Sequence, residues 1–227
     1  MIGRVVSAFF IYSLKIISRI FYRTEAIWLT PKEQIHWEEL RIAAVLNHTS
    51  LFEPIFVSAL PNYRICRAVI RVVVPIADVT MNRPMVGALF RLLVPNAFAI
   101  TRRRDETWDR YIAKAKDPNS LMLLFPEGRM KRKDGLDKKG RPMSVKSGVA
   151  DIIWEIKSGK MLVCYSGGLH HVQAPGELIP RIFKKIRISF QEIDIADYIQ
   201  QSSAKDVEAF REFVVADLES KMKLHCG

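Results

Sequence analysis

Short apolar runs of strand length alternate along the chain with stretches whose apolar residues recur at helical spacing, and this alternation restricts the architecture more than any other feature. The run Ser120–Phe125, SLMLLF, is almost continuously apolar, which suits a strand covered on both faces, as in a parallel sheet beneath helices. The pattern predicts further strands over Arg41–Leu46, Val69–Val74 (closing at Pro75), Ala97–Thr101, Met161–Ser166 and Lys185–Glu192. It predicts helices over Leu51–Leu60, Met85–Leu93, Asp105–Lys116, Ser147–Lys157 and Asp206–Leu224, the last with Val207, Phe210, Val214, Leu218 and Met222 on one stripe. Strands alternating with helices imply a single α/β domain with a mostly parallel central sheet flanked by helices. A chain of 227 residues fills one such core, and no linker, repeat or low-complexity tract divides it.

The opening segment MIGRVVSAFFIYSLKIISRIFYR stands apart, with four basic residues and no acid. Its longest uncharged run, Val5–Leu14, is shorter than the ~20 residues a membrane span needs. On a helical projection Arg4, Ser7, Lys15, Ser18, Arg19 and Arg23 gather on one side, and Val5, Val6, Phe9, Phe10, Ile16, Ile17, Ile20 and Phe21 cover the other. A helix lying in a membrane interface has this pattern, with its basic rim toward acidic headgroups; so does a helix docked on the protein's own core. A secretory signal would carry its charge before the apolar run and a small-residue cleavage site after it, and here Lys15, Arg19 and Arg23 interrupt and follow the run. The expectation is an amphipathic membrane-interface helix over residues 1–24 ahead of a domain over residues 25–227. The protein would then lie on the cytoplasmic face of a membrane as a peripheral or monotopic protein.

Composition narrows the partners. With 26% charged residues and a mean hydropathy of +0.04, the chain is no bundle of membrane spans. Its net charge of +11 attracts anions: acidic lipid headgroups, phosphorylated substrates or nucleic acid. Nucleic acid is disfavoured, because RRR at 102–104 and KRK at 131–133 have no interleaved aromatic residues for bases to stack on. An acidic phospholipid surface remains the expected partner, with an acidic carrier protein as another. Cys66, Cys164 and Cys226 form no C-x-x-C pair, so neither a disulfide framework nor a zinc site is suggested, and a reducing setting is the default. Cys164, within MLVCY, reads as a core residue.

Three stretches could carry chemistry. In NHTSLFEP, residues 47–54, His48 falls at a strand-to-helix junction and Glu53 in the first turns of the following helix. An imidazole there is a candidate general base if a carboxylate holds its other nitrogen, although a satisfied structural histidine would read the same. In FPEGR, residues 125–129, a glycine follows the SLMLLF strand, and ligands of parallel sheets bind outside the strands' carboxyl ends. Glu127 and Arg129 would project into that site, unless the pentapeptide is a solvated turn. In FAITRRRD, residues 98–105, Arg102 leaves a strand end, where a guanidinium fork can clamp phosphate.

NHTSLFEP, then AITR, then FPEGR, then KSGVA at 146–150, in that order over about residues 40–170, resembles the glycerolipid acyltransferases of the 1-acylglycerol-3-phosphate acyltransferase type. The resemblance implies that His48 is the catalytic base, that Glu53 orients it in place of the family's usual aspartate, and that Arg102 contacts the acceptor's phosphate. It implies acceptor-binding roles for Glu127 and Gly128. Arg129-Met130-Lys131 stands where the family usually has Thr-Arg-Ser, so Arg129 is the candidate for the displaced arginine's role. MLVCYSGG matches the fourth family block only loosely and contributes no site residue.

The activity implied is transfer of a fatty acyl group from acyl-CoA or acyl-acyl carrier protein to the free hydroxyl of a lysophospholipid such as lysophosphatidic acid. Neither a cofactor nor a metal is implied. The alternatives are acylation of glycerol 3-phosphate or a lyso-aminolipid and, in a different class, a non-catalytic basic module that binds acidic membrane or nucleic acid.

Overall fold

The structure is a computed structural model, and it describes residues 2–82, 84, 94, 96–101, 103–177 and 179–226. The helix expected over Met85–Leu93, and Arg102, lie outside the described residues. The chain opens with helix α1 (Ile2–Phe21), which runs directly into strand β1 (Tyr22–Trp28). Strand β2 (Leu40–Leu46) is followed by a 3₁₀ helix (Glu53–Ala59), α2 (Asn62–Arg71), β3 (Val72–Ala77) and the single turn α3 (Asp78–Met81). Next come β4 (Ala97–Ile100), α4 (Glu106–Lys116), β5 (Leu121–Leu124) and α5 (Gly148–Ile156). The described chain closes with β6 (Lys160–Ser166), β7 (Lys184–Asp194), α6 (Ile195–Gln201) and α7 (Val207–His225).

The seven strands form one sheet in the order β1-β7-β6-β2-β5-β3-β4, and among the described residues β6–β7 is its single antiparallel pairing. This is the single α/β domain with a mostly parallel sheet that the alternation of runs implies. Residues of the central strands pack alternately on the two faces. Ile42, Ala44, Leu46, Met161, Val163 and Tyr165 join one core with α5 and α7, while Ala43, Val45, Leu162 and Cys164 face a second core with the 3₁₀ helix and β7. Cys164 is buried as expected, and burial pushes its thiol up to about 12.

Three elements differ from expectation. β1 was not foreseen, and it places Tyr22 and Arg23 in the sheet, parallel to β7, so the helical segment ends earlier than residue 24. Val69–Arg71 complete α2, and β3 runs on through Pro75 to Ala77. Proline is tolerated there because β5 pairs only with Val72 and Val73, so no ladder bond from β5 is lost at residue 75. Leu51–Leu60 is helical only over Glu53–Ala59 and as a 3₁₀ helix, with Pro54 in its first turn, where a missing N–H is harmless.

Helix α1 docks through its polar side. Ser7, Lys15 and Ser18 are buried, whereas Val5, Phe9, Ile16 and Ile20 are 65%, 75%, 58% and 63% exposed. The Ser18 hydroxyl donates to the Ile55 carbonyl at 3.0 Å, and the Lys15 ammonium donates to the Leu60 carbonyl. Burial, with the neighbouring charges of Arg19 and Lys32, lowers Lys15 to about 8. Lys15 therefore faces the domain and belongs to no outward basic rim. Among the described residues no helix is long and apolar enough to cross a membrane.

Candidate active site

β5 and β6 flank β2 and run parallel to it, so the carboxyl ends of all three strands open on one edge of the sheet. Asn47-His48, Phe125–Glu127 and Gly167-Gly168 follow those ends. Asn47 adopts φ +63°, a left-handed conformation that asparagine tolerates better than most residues. In this turn the main-chain N–H groups of Asn47 and His48 both donate to Glu127 Oε1, at 2.6 and 3.2 Å.

The His48 ring is held on two sides. Its Nδ1–H donates to Glu53 Oε2 at 2.5 Å, and the Phe125 ring packs against it with centroids 4.4 Å apart. Glu53 is fixed in turn: its Oε1 accepts from the Thr49 N–H at 2.7 Å and the Ser50 N–H at 3.4 Å. The five-residue spacing works because residues 49–52 form a turn that folds the start of the 3₁₀ helix back onto the histidine. With the proton on Nδ1, the Nε2 lone pair is the basic one, and Nε2 has no hydrogen-bond partner among the described residues. A hydroxyl delivered to Nε2 would find a base already oriented by a buried carboxylate.

Glu127 is 2% exposed and lies beneath this turn, with its second oxygen buried and unpartnered among the described residues. Burial raises its pKa, and the amides of Asn47 and His48 oppose that rise. Gly128 turns at φ +67°, with its N–H donating to the Phe125 carbonyl at 2.8 Å. Arg129 donates to the buried carboxylate of Asp137, which also receives Arg141 Nη2 at 3.0 Å and the main-chain N–H of Lys139 at 2.7 Å. Burial would raise the Asp137 carboxyl, but Arg129 and the Lys139 amide and charge outweigh it and hold it below the usual range. His48, Glu53, Glu127 and Gly128 are thus gathered around one turn, while Arg129 is committed to the loop that follows.

The strand end after β6 contributes contacts that the sequence reading passed over. The Leu169 N–H donates to Thr49 Oγ1 at 2.7 Å, and Ser50 Oγ meets Gln173 Oε1 at 3.0 Å. Gly168 sits at φ +82°, close enough that a Cβ would meet Asn47 Nδ2 at 3.3 Å. A glycine at a strand's carboxyl end is the signal that singled out FPEGR, and in CYSGGLHH it was available too.

Comparison with known proteins supplies the family. A family model described as acyltransferase matches residues 29–165, well over half of the 227 residues. Among solved structures, the chain is similar to PlsC of Thermotoga maritima, a 1-acyl-sn-glycerophosphate (LPA) acyltransferase, with a TM-score of 0.56 at 16% identity over 94% of this chain and 78% of that chain. No curated protein matches the chain. The strand-end histidine held by a buried carboxylate thus lies inside the matched segment, and the chain belongs to the acyltransferase family.

Proposed function

We propose that the protein is a membrane-surface glycerolipid acyltransferase that moves a fatty acyl group from a thioester donor to the hydroxyl of a lysophospholipid of the 1-acylglycerol-3-phosphate type. The observation that carries the reading is the His48–Glu53 pair at the end of β2, with Nδ1 held at 2.5 Å and Nε2 left without a partner among the described residues. As the acceptor oxygen attacks the thioester carbonyl, Nε2 takes its proton and Glu53 steadies the imidazolium. When the tetrahedral intermediate collapses, the imidazolium returns the proton to the departing thiolate. The ester is formed, the thioester is broken, and no covalent acyl-enzyme is needed.

Glu127 acts in this reading as a positioning residue that fixes the main chain of the Asn47-His48 turn. Acyl-CoA and acyl-acyl carrier protein both supply the required thioester, and Arg102, two residues beyond β4 in the sequence, remains the proposed contact for the acceptor's phosphate. The outward apolar face of α1 supports membrane association. Phe21 and the 74%-exposed Phe183 extend that face, with ring centroids 5.9 Å apart. Moving such side chains from water into the acyl boundary contributes up to about 1.5–3 kcal/mol each. The proposed location is the cytoplasmic side of that membrane, consistent with the free thiols of Cys164 and Cys226.

Purified full-length protein incubated with labelled acyl-CoA or acyl-acyl carrier protein and a panel of acceptors tests the substrate class by thin-layer analysis. The panel is lysophosphatidic acid, lysophosphatidylcholine, glycerol 3-phosphate and a lyso-aminolipid. Product with lysophosphatidic acid in clear preference is expected, and product with only the lyso-aminolipid would overturn the acceptor assignment while leaving acyl transfer intact.

A further inference from the structure

On the β6 side of the His48 turn lies an open cavity of about 390 Å³, whose lining residues include Asn47, Thr49, Gly168, Lys131, Arg132, Lys133, His170 and His171. We propose that this cavity is a second phosphate-binding site, separate from the proposed contact at Arg102, and that it takes a phosphate ester of one of the two substrates. The inference rests on the acyl-transfer reading for which molecule carries that phosphate, but the anion site itself stands on the geometry.

The first argument is charge without counter-charge. Several surface cations elsewhere are paired: Arg104 with Asp151, Lys116 with Glu155, Arg141 with Asp137, and Lys185 with Glu25. Lys131, Arg132 and Lys133 are consecutive cations with no side-chain ion pair or hydrogen bond among the described residues, and no carboxylate lines the cavity. Glu177, whose carboxyl feels Lys133, is already held by both terminal nitrogens of Arg181, at 3.0 and 2.7 Å. Three unpaired cations facing one cavity repel each other unless an anion joins them.

The second argument is order. The Lys131 N–H donates to the His48 carbonyl at 2.7 Å, and the Arg132 N–H donates to the Leu136 carbonyl at 2.9 Å. His170 Nε2–H donates to the Lys131 carbonyl at 2.7 Å, and His171 Nε2–H donates to the Lys185 carbonyl at 2.7 Å. The Asp137 hub ties down the rest of the loop. Both imidazoles are therefore oriented, and the main chain that carries the lysines is fixed to the catalytic turn. This is a pre-organised cation cluster and not a solvated tail, and it loses little freedom when a phosphate binds.

The third argument is position. Asn47 and Thr49, the chain neighbours of His48, line the cavity, so it opens beside the turn that carries the base, although the His48 side chain is not part of its lining. β4 lies on the opposite flank of the sheet, beyond β5 and β3. A bisubstrate reaction in which donor and acceptor both carry phosphate has use for more than one cation site.

The test is calorimetric titration of the full-length protein with glycerol 3-phosphate and with adenosine 3′,5′-bisphosphate, beside steady-state kinetics. The proteins are the parent, the Lys131→Gln/Arg132→Gln/Lys133→Gln triple variant, the single Lys133→Glu variant in case the triple does not fold, and His48→Ala. The triple and the Lys133→Glu variant should each bind one of the probes at least about tenfold more weakly than the parent, whereas His48→Ala binds both as the parent does. A rise in KM for the lysophospholipid alone assigns the phosphate to the acceptor, and a rise for the thioester alone assigns it to the donor. Unchanged affinity for both probes and unchanged KM for both substrates in a folded variant would overturn the proposal. A His48→Ala protein that still transfers acyl groups would instead overturn the catalytic reading and leave the anion site standing.

Discussion

Glu53 and Glu127 hold His48 by different parts, the one its side chain and the other its main chain, and their amides should behave differently. Glu53 accepts on both oxygens, from Nδ1–H of His48 and from the N–H groups of Thr49 and Ser50. Glu53→Gln must turn an NH₂ toward one of these donors, so kcat should fall by roughly tenfold or more with the fold retained. Parent-like turnover would show that Glu53 does not orient the base. Glu127 accepts on Oε1 only, and its Oε2 has no partner among the described residues. Glu127→Gln can keep both main-chain bonds and should be nearly as active as the parent, while Glu127→Ala should lower kcat; a Gln variant as poor as the Ala variant would mean that the charge itself meets the substrate. Burial raises the Glu127 pKa above its ordinary 4.5, so the folded protein holds this proton to a higher pH than the unfolded chain does. Its contribution to stability therefore declines as pH rises above 4.5, and thermal midpoints of Glu127→Gln should lack that decline. The His48–Glu53 pair was legible because its members share one turn, whereas the bond from Glu127 joins residues 80 positions apart and leaves no local pattern.

Helix α1 shows what periodicity leaves open at the scale of an element. The sequence assigns two faces correctly, but an apolar stripe does not say whether it covers a core or meets a lipid. Ser18 and Lys15 reach the carbonyls of Ile55 and Leu60 and so turn the apolar side outward, away from the core. Phe9, Ile16 and Ile20 are exposed, so the triple variant Phe9→Ser/Ile16→Ser/Ile20→Ser should fold with a near-parental thermal midpoint. In sedimentation with vesicles containing acidic phospholipid it should remain largely in the supernatant, since most of the insertion energy comes from buried apolar area. Co-sedimentation equal to the parent's would place the membrane contact elsewhere. These substitutions are a cleaner probe than deletion of residues 1–23, which would also remove Tyr22, a buried residue at the start of β1. β1 itself was invisible because YRTEAIW mixes charges with apolar residues and alternates poorly; its seven-residue register with β7 supplies the order that its sequence pattern lacks.

At the scale of the molecule, the parallel architecture is what makes an active site from distant segments: parallel neighbours end on the same edge, so the turns after β2, β5 and β6 meet. That much follows from the alternation of apolar runs with helical stretches. The strand order does not, and neither does the antiparallel turn of β7 against β6, because both depend on long-range pairings that no local run of residues encodes. The excess of 35 basic over 24 acidic residues likewise becomes informative only once the fold shows which cations are paired and which face the cavity beside His48. The central claim of the proposed function is acyl transfer by a histidine base, and its direct measurement is the single-turnover rate of labelled acyl transfer to lysophosphatidic acid in vesicles, for the parent and for His48→Ala at matched thermal midpoint. The parent should form diacyl product, with the variant slower by at least ~10² and bound to vesicles as before. A folded His48→Ala protein that forms product at the parental rate would contradict the assignment of His48 as the base.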